Sequence, residues 1–132
     1  RSSKLKGIEI DVNDFIDAVP ILAVVGCAAS GTTTIVNAGI ARTKESNRLA
    51  TMKEELGKMG ASIEETEDGL RIIKSKLAGT EVQSHHDHRI AMSLAVAGLI
   101  ADGETTINDS ECIAKTFGEF PQKMKAVGAC IK

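Results

Sequence analysis

The sequence predicts an α/β fold (α+β in some classifications) with mixed strand pairing. Segments with helical and strand-like patterns alternate along most of the chain. Two strand-like segments at 61–66 and 70–75 flank Glu67, Asp68 and Gly69, which is typical of a hairpin. Because a hairpin interrupts the alternation, we expect mixed layers rather than a parallel Rossmann sheet.

Periodicity and helix-ending residues predict the individual elements. Leu49, Met52, Leu56 and Met59 form one apolar stripe of a helix, and Gly60 ends that helix at its C′ position. The predicted strands outside the hairpin are 7–12, 32–36 and 104–108. The predicted helices are about 17–29, 46–59, 87–101 and 119–127.

An internal repeat organises the chain. Residues 22–26 (LAVVG) and 31–35 (GTTTI) recur as residues 94–98 (LAVAG) and 103–107 (GETTI). Every matched pair is 72 positions apart, without a gap. The repeat lies near 17–38 and 89–110, and it predicts two copies of a helix–turn–strand unit that lean on each other for burial.

The length and composition of the chain limit the number of domains and the classes of partner to expect. The 132 residues fit one domain or part of a larger one, and the start at Arg1 rather than Met favours a fragment. The net charge of −2 indicates neither nucleic acid nor an anionic membrane. The longest apolar stretch, 18–29, is too short to span a bilayer. Cys27, Cys112 and Cys130 have neither paired nor metal-type spacing, so we expect free thiols in a reducing cytoplasm.

Two motifs are misleading. Residues 26–33 have the spacing of a phosphate-binding P-loop, but Thr32 replaces its lysine, and Gly31 and the equivalent Gly103 more simply end helices. His85, His86 and His88 lie around Asp87, yet consecutive residues rarely converge on one ion and no matching cluster is evident elsewhere. We therefore predict no metal.

Residues 86–89 precede a long apolar helix and predict an anion site. Asp87 suits the N-cap, where its carboxylate accepts first-turn N–H groups, and His88 and Arg89 remain as donors. Unpaired N–H groups and the helix dipole place partial positive charge there. Such a site favours a phosphate or a carboxylate.

Other charged residues have both an ordinary and a functional interpretation. Lys44, Glu45 and Arg48 share a face at the start of the predicted second helix, where basic residues oppose the dipole unless an anion compensates. A solvated helix start with a Glu45–Arg48 pair is the ordinary interpretation. Asp17 is a good N-cap ahead of Pro20, and Lys115 taken alone is a surface lysine.

Taken together, these motifs resemble the 5-enolpyruvylshikimate-3-phosphate synthase family. Residues 42–48 (RTKESNR), 87–92 (DHRIAM) and 114–117 (AKTF) occur in that family's order, and Asp17 matches a further position. The resemblance covers nearly the whole chain, as the C-terminal third of the enzyme. It implies about two βαβαββ units of one domain of the enolpyruvyl transferase fold, with a missing N-terminal domain as partner.

The resemblance implies transfer of the enolpyruvyl group of phosphoenolpyruvate to the 5-hydroxyl of shikimate 3-phosphate, with release of phosphate and no cofactor. Asp17 would be the base at that hydroxyl, and Lys44 would contact shikimate 3-phosphate. Glu45 would exchange a proton with the methylene carbon of phosphoenolpyruvate. The groups implied to bind its carboxylate and phosphate are Arg48, Arg89 and Lys115, with His88 alongside.

The chain departs from the family pattern in two places. Asn47 replaces a frequent aspartate that could pair with Arg48, and Ile40 replaces an asparagine that contacts shikimate 3-phosphate in some members. The basic and serine residues of the other domain have no match, so we expect the isolated chain to be inactive. The alternatives are a non-catalytic anion-binding module, a relative of UDP-N-acetylglucosamine enolpyruvyl transferase, and a structural domain whose charges are caps and salt bridges.

Overall fold

A computed structural model describes residues 3–131 of the chain. The helices are α1 (Val19–Ala28), α2 (Arg48–Lys58), α3 (His88–Ile100), α4 (Ala114–Phe117) and α5 (Phe120–Ala126). The strands are β1 (Glu9–Asp11), β2 (Thr32–Val36), β3 (Ser62–Glu65), β4 (Leu70–Ile73), β5 (Glu81–Gln83) and β6 (Thr106–Asn108). Short 3₁₀ turns occupy Ile16–Ala18, Gly39–Thr43 and Ser110–Ile113. The predicted α/β class is confirmed.

The strands form two sheets with mixed pairing. The first has the order β1-β2-β4-β3, with β1 parallel to β2 and with β4 antiparallel to both of its neighbours. β3 and β4 are the predicted hairpin. The second sheet pairs β5 and β6 in parallel. β5 was not predicted, because three residues with one buried side chain carry no periodic signal.

Two βαβ units follow one another at the 72-residue offset. The first unit (residues 6–37) contains β1, α1 and β2, and the second unit (residues 78–109) contains β5, α3 and β6. A Cβ atom at Gly7 would lie 2.2 Å from a backbone oxygen of β2, and one at the equivalent Gly79 would lie 2.2 Å from that of Glu104. Asn37 and Asp109, which follow the last strands, have φ values of 57° and 56°. Equivalent positions thus share demanding backbone geometry.

The turns after α1 and α3 explain the P-loop-like spacing. Gly31 and Gly103 have φ values of 79° and 87°, and each lies two residues beyond the C-cap residue of its helix. The expectation that they end the helices directly is therefore slightly wrong, because they instead shape the turn into the next strand. Residues 26–33 lead from a helix to a strand, whereas a P-loop leads from a strand to a helix.

The core lies where α1, α2 and α3 contact one another, with α1 and α2 also packed on the first sheet. The predicted stripe of α2 is confirmed, since all four of its side chains are 0% exposed, and Gly60 follows with a φ of 96°. None of the helices between residues 3 and 131 has the length and apolar character to span a membrane. Side chains that precede or begin α1, α2 and α3 meet at one end of this core.

Candidate active site

Arg48 lies at the centre of a cluster of charged side chains. It is the first residue of α2, and its side chain is 1% exposed. Nε donates to Asp87 Oδ2 at 2.8 Å, and Nη2 donates to Asp87 Oδ1 at 3.1 Å. Nη1 donates to Asp17 Oδ1 at 3.0 Å, and Nη2 also contacts Glu45 Oε2. Three carboxylates therefore surround a guanidinium group that solvent does not reach.

The Arg48–Asp87 pair is buried on both sides. Asp87 also accepts hydrogen bonds from Ser46 Oγ at 2.8 Å and from the N–H of Arg89 at 3.0 Å. Burial raises the pKa of Asp87, but the hydrogen bonds from Arg48 and Ser46 outweigh it and leave the pKa below its ordinary value. Burial lowers the pKa of Arg48, and its carboxylate partners more than reverse that effect. Both side chains stay ionised because each stabilises the charged form of the other.

Asp17 faces three cations. Its carboxylate lies 3.0 Å from Arg48 Nη1, 3.7 Å from Arg89 Nη2 and 3.8 Å from Lys44 Nζ. The prediction that Asp17 caps α1 is wrong, because Asp17 lies in a 3₁₀ turn and Ala18 precedes the helix without a side-chain cap. Pro20 in the first turn has no N–H that needs capping, so the carboxylate turns toward the cations instead.

The prediction that Lys44 and Glu45 lie on the first turn of α2 is wrong, because both residues precede the helix. Lys44 follows the 3₁₀ turn with extended backbone, and bends at residues 44–46 bring Glu45 onto Arg48. Asn47 is the N-cap of α2 and accepts a hydrogen bond from the N–H of Ala50 at 3.2 Å. Asn47 thus caps the helix, and the main partner of Arg48 is Asp87 rather than the residue at position 47.

Of the remaining predicted site residues, His88 and Arg89 lie at the cluster, and Lys115 lies on α4. Asp87 caps α3 as predicted, and His88 and Arg89 occupy its first turn. A ring nitrogen of His88 lies within 4.8 Å of carboxylate oxygens of Glu45 and Asp87. Exposed Lys115 lies on α4 and has no ion pair with any residue from 3 to 131. The structure gathers six of the seven predicted site residues and leaves Lys115 without a hydrogen bond or ion pair to them.

The first turns of three helices add positive potential to the cluster. Asp17 lies two residues before α1, Arg48 begins α2, and Arg89 is in the first turn of α3. Their N–H groups and dipoles place partial positive charge at one point. Together with the partly exposed Lys44 and Arg89, this arrangement suits a carboxylate or a phosphate.

Among residues 3–131, two groups of side chains lie close enough together in space to be metal ligands, although the sequence pattern predicted neither. They are Glu45 with Asp87 and His88, and Glu54 with Glu55 and His85. Each group already binds a cation of the protein itself. Arg48 lies 2.8 Å from Asp87, and Lys58 lies 3.0 Å from Glu55. A metal ion would have to displace that cation, so neither group fits one.

Comparison with known sequences points to one family. The model of the EPSP synthase (3-phosphoshikimate 1-carboxyvinyltransferase) family matches residues 1–124. The 3-phosphoshikimate 1-carboxyvinyltransferase of Methanococcus maripaludis strain C7 is 48% identical over 130 residues, which is 98% of this chain. That of Ruminiclostridium cellulolyticum is 47% identical over 132 residues. The chain spans 30% and 31% of the length of these two relatives.

Solved structures show the same fold. An EPSP synthase from Acinetobacter baumannii matches with a TM-score of 0.91 at 38% identity, covering 98% of this chain and 32% of that chain. The enolpyruvyl transferase NikO from Streptomyces tendae matches with a TM-score of 0.77 at 24% identity, covering 100% of this chain and 30% of that chain. The second likeness concerns the fold alone.

Proposed function

The chain belongs to the EPSP synthase (3-phosphoshikimate 1-carboxyvinyltransferase) family, and from this membership we propose that it supplies part of an active site joining phosphoenolpyruvate to shikimate 3-phosphate. In the first step, the 5-hydroxyl oxygen of shikimate 3-phosphate loses its proton and bonds to C2 of phosphoenolpyruvate, while C3 gains a proton. The resulting ketal then loses phosphate from C2 and a proton from C3, which restores the double bond.

One observation carries this proposal, namely the convergence of Asp17, Lys44, Arg48 and Arg89 at three helix N-termini. Asp17 is the base at the 5-hydroxyl, and Lys44, 3.8 Å from it, contacts the same substrate. Arg89, which is partly exposed, binds phosphoenolpyruvate directly, since a planar guanidinium group suits its carboxylate and phosphate. Arg48 is enclosed by carboxylates, and it binds the same substrate by exchanging its contacts with Asp17 and Glu45.

The remaining roles belong to residues around these four. Glu45, which contacts Arg48, exchanges a proton with C3 of phosphoenolpyruvate. His88 lies alongside in the first turn of α3. Lys115 is a further phosphate ligand that reaches the substrate from α4, where it has no ion pair with the described residues.

The charges of the cluster are balanced before substrate binds. Three cations, Lys44, Arg48 and Arg89, face three carboxylates, Asp17, Glu45 and Asp87. Phosphoenolpyruvate adds a carboxylate and a phosphate, and shikimate 3-phosphate adds another phosphate, so repulsion opposes binding unless further cations are supplied. We propose that the rest of the full-length protein, including a missing N-terminal domain, supplies them, and that this chain alone does not turn over.

A depression of mixed polarity at the other end of the core supports such a partner. The C-terminal ends of α1 and α3 border this depression of about 430 Å³, lined in part by Ile100, which is 51% exposed. Interfaces between domains of one chain are commonly of mixed polarity. We propose that another part of the full-length protein covers this depression.

A cytoplasmic location is also part of the proposal. Cys27, Cys112 and Cys130 are free thiols, and the first two are buried. Free thiols fit a reducing compartment.

Phosphate release by the full-length gene product, given both substrates, tests the proposed function. We expect Arg89→Ala and Lys115→Ala each to lower kcat/KM by about 10–100-fold, since each removes a charge-assisted hydrogen bond. Lys125→Ala, at an exposed position of α5, is the matched control and should leave kcat/KM unchanged. Full activity of the first two variants would contradict the proposal. Phosphate bound without any turnover would indicate an anion-binding module.

A further inference from the structure

α2 binds the segment of residues 83–87, which precedes α3, at two points. Arg48 and Glu55 are seven residues apart, two turns along one face of the helix. Arg48 binds Asp87 at the end of this segment, and Glu55 binds Gln83 and His85 nearer its start. The two attachments have opposite polarity, because the helix supplies the cation at one and the anion at the other.

Glu55 is buried and uses both carboxylate oxygens. It is 0% exposed, and Oε2 accepts from the N–H of Gln83 at 2.9 Å. Oε1 lies 2.8 Å from His85 Nε2, and Lys58 Nζ donates to both oxygens at 3.0 and 3.1 Å. Burial raises the pKa of Glu55, but these hydrogen bonds outweigh it and leave the pKa below its ordinary value. Glu55 thus holds the segment as a carboxylate.

The segment that Glu55 holds is conformationally demanding. His85 and His86 are consecutive non-glycine residues with φ values of 54° and 58°. Left-handed backbone of this kind persists only where surrounding contacts maintain it. Their equivalents in the first unit, Asn13 and Asp14, do not have positive φ values. Directly after them comes Asp87, which orients Arg48 and caps the helix that carries Arg89.

We propose that Glu55 is a positioning residue of the active site, an inference that rests on the proposed function. By anchoring Gln83 and His85, it maintains the turn that places Asp87, and Asp87 in turn orients Arg48 and the first turn of α3. Glu55 acts through these residues on phosphoenolpyruvate, and it has no hydrogen bond or ion pair with Asp17 or Lys44, which are assigned to shikimate 3-phosphate.

Steady-state kinetics of full-length Glu55→Gln test this role. The variant keeps the side-chain volume but cannot accept hydrogen bonds at both positions. We expect KM for phosphoenolpyruvate to rise about tenfold while KM for shikimate 3-phosphate stays within about twofold, because a small misplacement of anion ligands is costly. Glu54→Gln is the matched control, since Glu54 is exposed and lies 3.9 Å from Lys58, and both KM values should stay unchanged.

A second variant covers the case in which Glu55→Gln does not fold. His85→Ala removes the segment's side of the contact at a position that is 32% exposed, and we expect the same selective rise of about threefold. Equal changes in both KM values, or a lower unfolding temperature with normal kinetics, would overturn the positioning role. An inactive wild-type protein would instead overturn the proposed function.

Discussion

The first and second units share backbone geometry at their glycines and at the turns after their last strands, but they differ in the segments that precede and begin their helices. Position 17 is aspartate and the equivalent position 89 is arginine, and their side chains lie 3.7 Å apart. Asp87 is buried and caps α3, whereas its equivalent in the first unit, Phe15, is 49% exposed and caps nothing. One scaffold therefore presents a carboxylate from one copy and an anion-binding side chain from the other.

This difference shows which positions the backbone dictates. Glycine occupies both position 7 and position 79 because a neighbouring strand leaves no space for a Cβ atom. Asn37 and Asp109 both occupy the left-handed position that follows the last strand of their unit. Nothing in the backbone requires a particular charge at positions 17 and 89. Those residues can therefore diverge in chemistry while the unit keeps its shape.

The largest expected difference between the units concerns the pair of positions 15 and 87. Asp87→Ala leaves the buried Arg48 without its main partner and should cost about 3–5 kcal/mol in the free energy of unfolding. Phe15→Ala should cost about 1 kcal/mol or less, because the side chain is half exposed. Urea denaturation of the full-length protein measures both, and similar costs would contradict the asymmetry.

A smaller effect should be the same in both units. Gly7→Ala and Gly79→Ala each place a methyl group against a backbone oxygen, so each should cost about 2 kcal/mol in the free energy of unfolding. Gly57→Ala is the control, because a Cβ atom there meets nothing within 4 Å. A marked difference between the Gly7 and Gly79 variants, measured by denaturation, would show that the two backbones are not equivalent.

Acid should weaken the second unit before the first. The pKa values of Asp87 and Glu55 lie below the ordinary values of 3.8 and 4.5. Their ionised forms stabilise the fold fully above those ordinary values, and the stabilisation is lost as the pH falls through the lower folded-state pKa values. Amide hydrogen exchange between pH 6 and pH 3 should show protection declining in α3 before α1. The reverse order would refute this prediction.

A difference in chemical reactivity rather than stability is expected at the far ends of the helices. Cys27 is 0% exposed, and burial raises its pKa to about 11, whereas the equivalent Leu99 is 43% exposed. Because burial raises the thiol pKa from 9.0 to about 11, an exposed thiol has about 100 times the thiolate fraction of the buried one near neutral pH, so the thiol introduced by Leu99→Cys should react with maleimide far faster than Cys27. Peptide mass spectrometry assigns the labelled positions. Equal labelling at positions 27 and 99 of that variant would contradict the different burial of the two helix ends.

Much of the fold could be predicted because its signals are local. The stripe of α2, the hairpin around residues 67–69 and the cap at Asp87 depend on residues a few positions apart. The burial of Arg48 could not be predicted, since its partners Asp17 and Asp87 lie 31 and 39 residues away. The weak signal that pointed to it was an arginine at a helix N-terminus, where the dipole is unfavourable.

The sequence by itself determined the α/β class, the hairpin, the main helices and the motifs that point to the family, because periodicity, caps and turn residues act within a few positions. Only the tertiary structure decided that Arg48 is enclosed by three carboxylates, that Asp17 turns from a cap into a partner of three cations, and that Glu55 holds the turn before Asp87. Those arrangements depend on which charged side chains are buried next to one another, and packing between residues distant in sequence determines that.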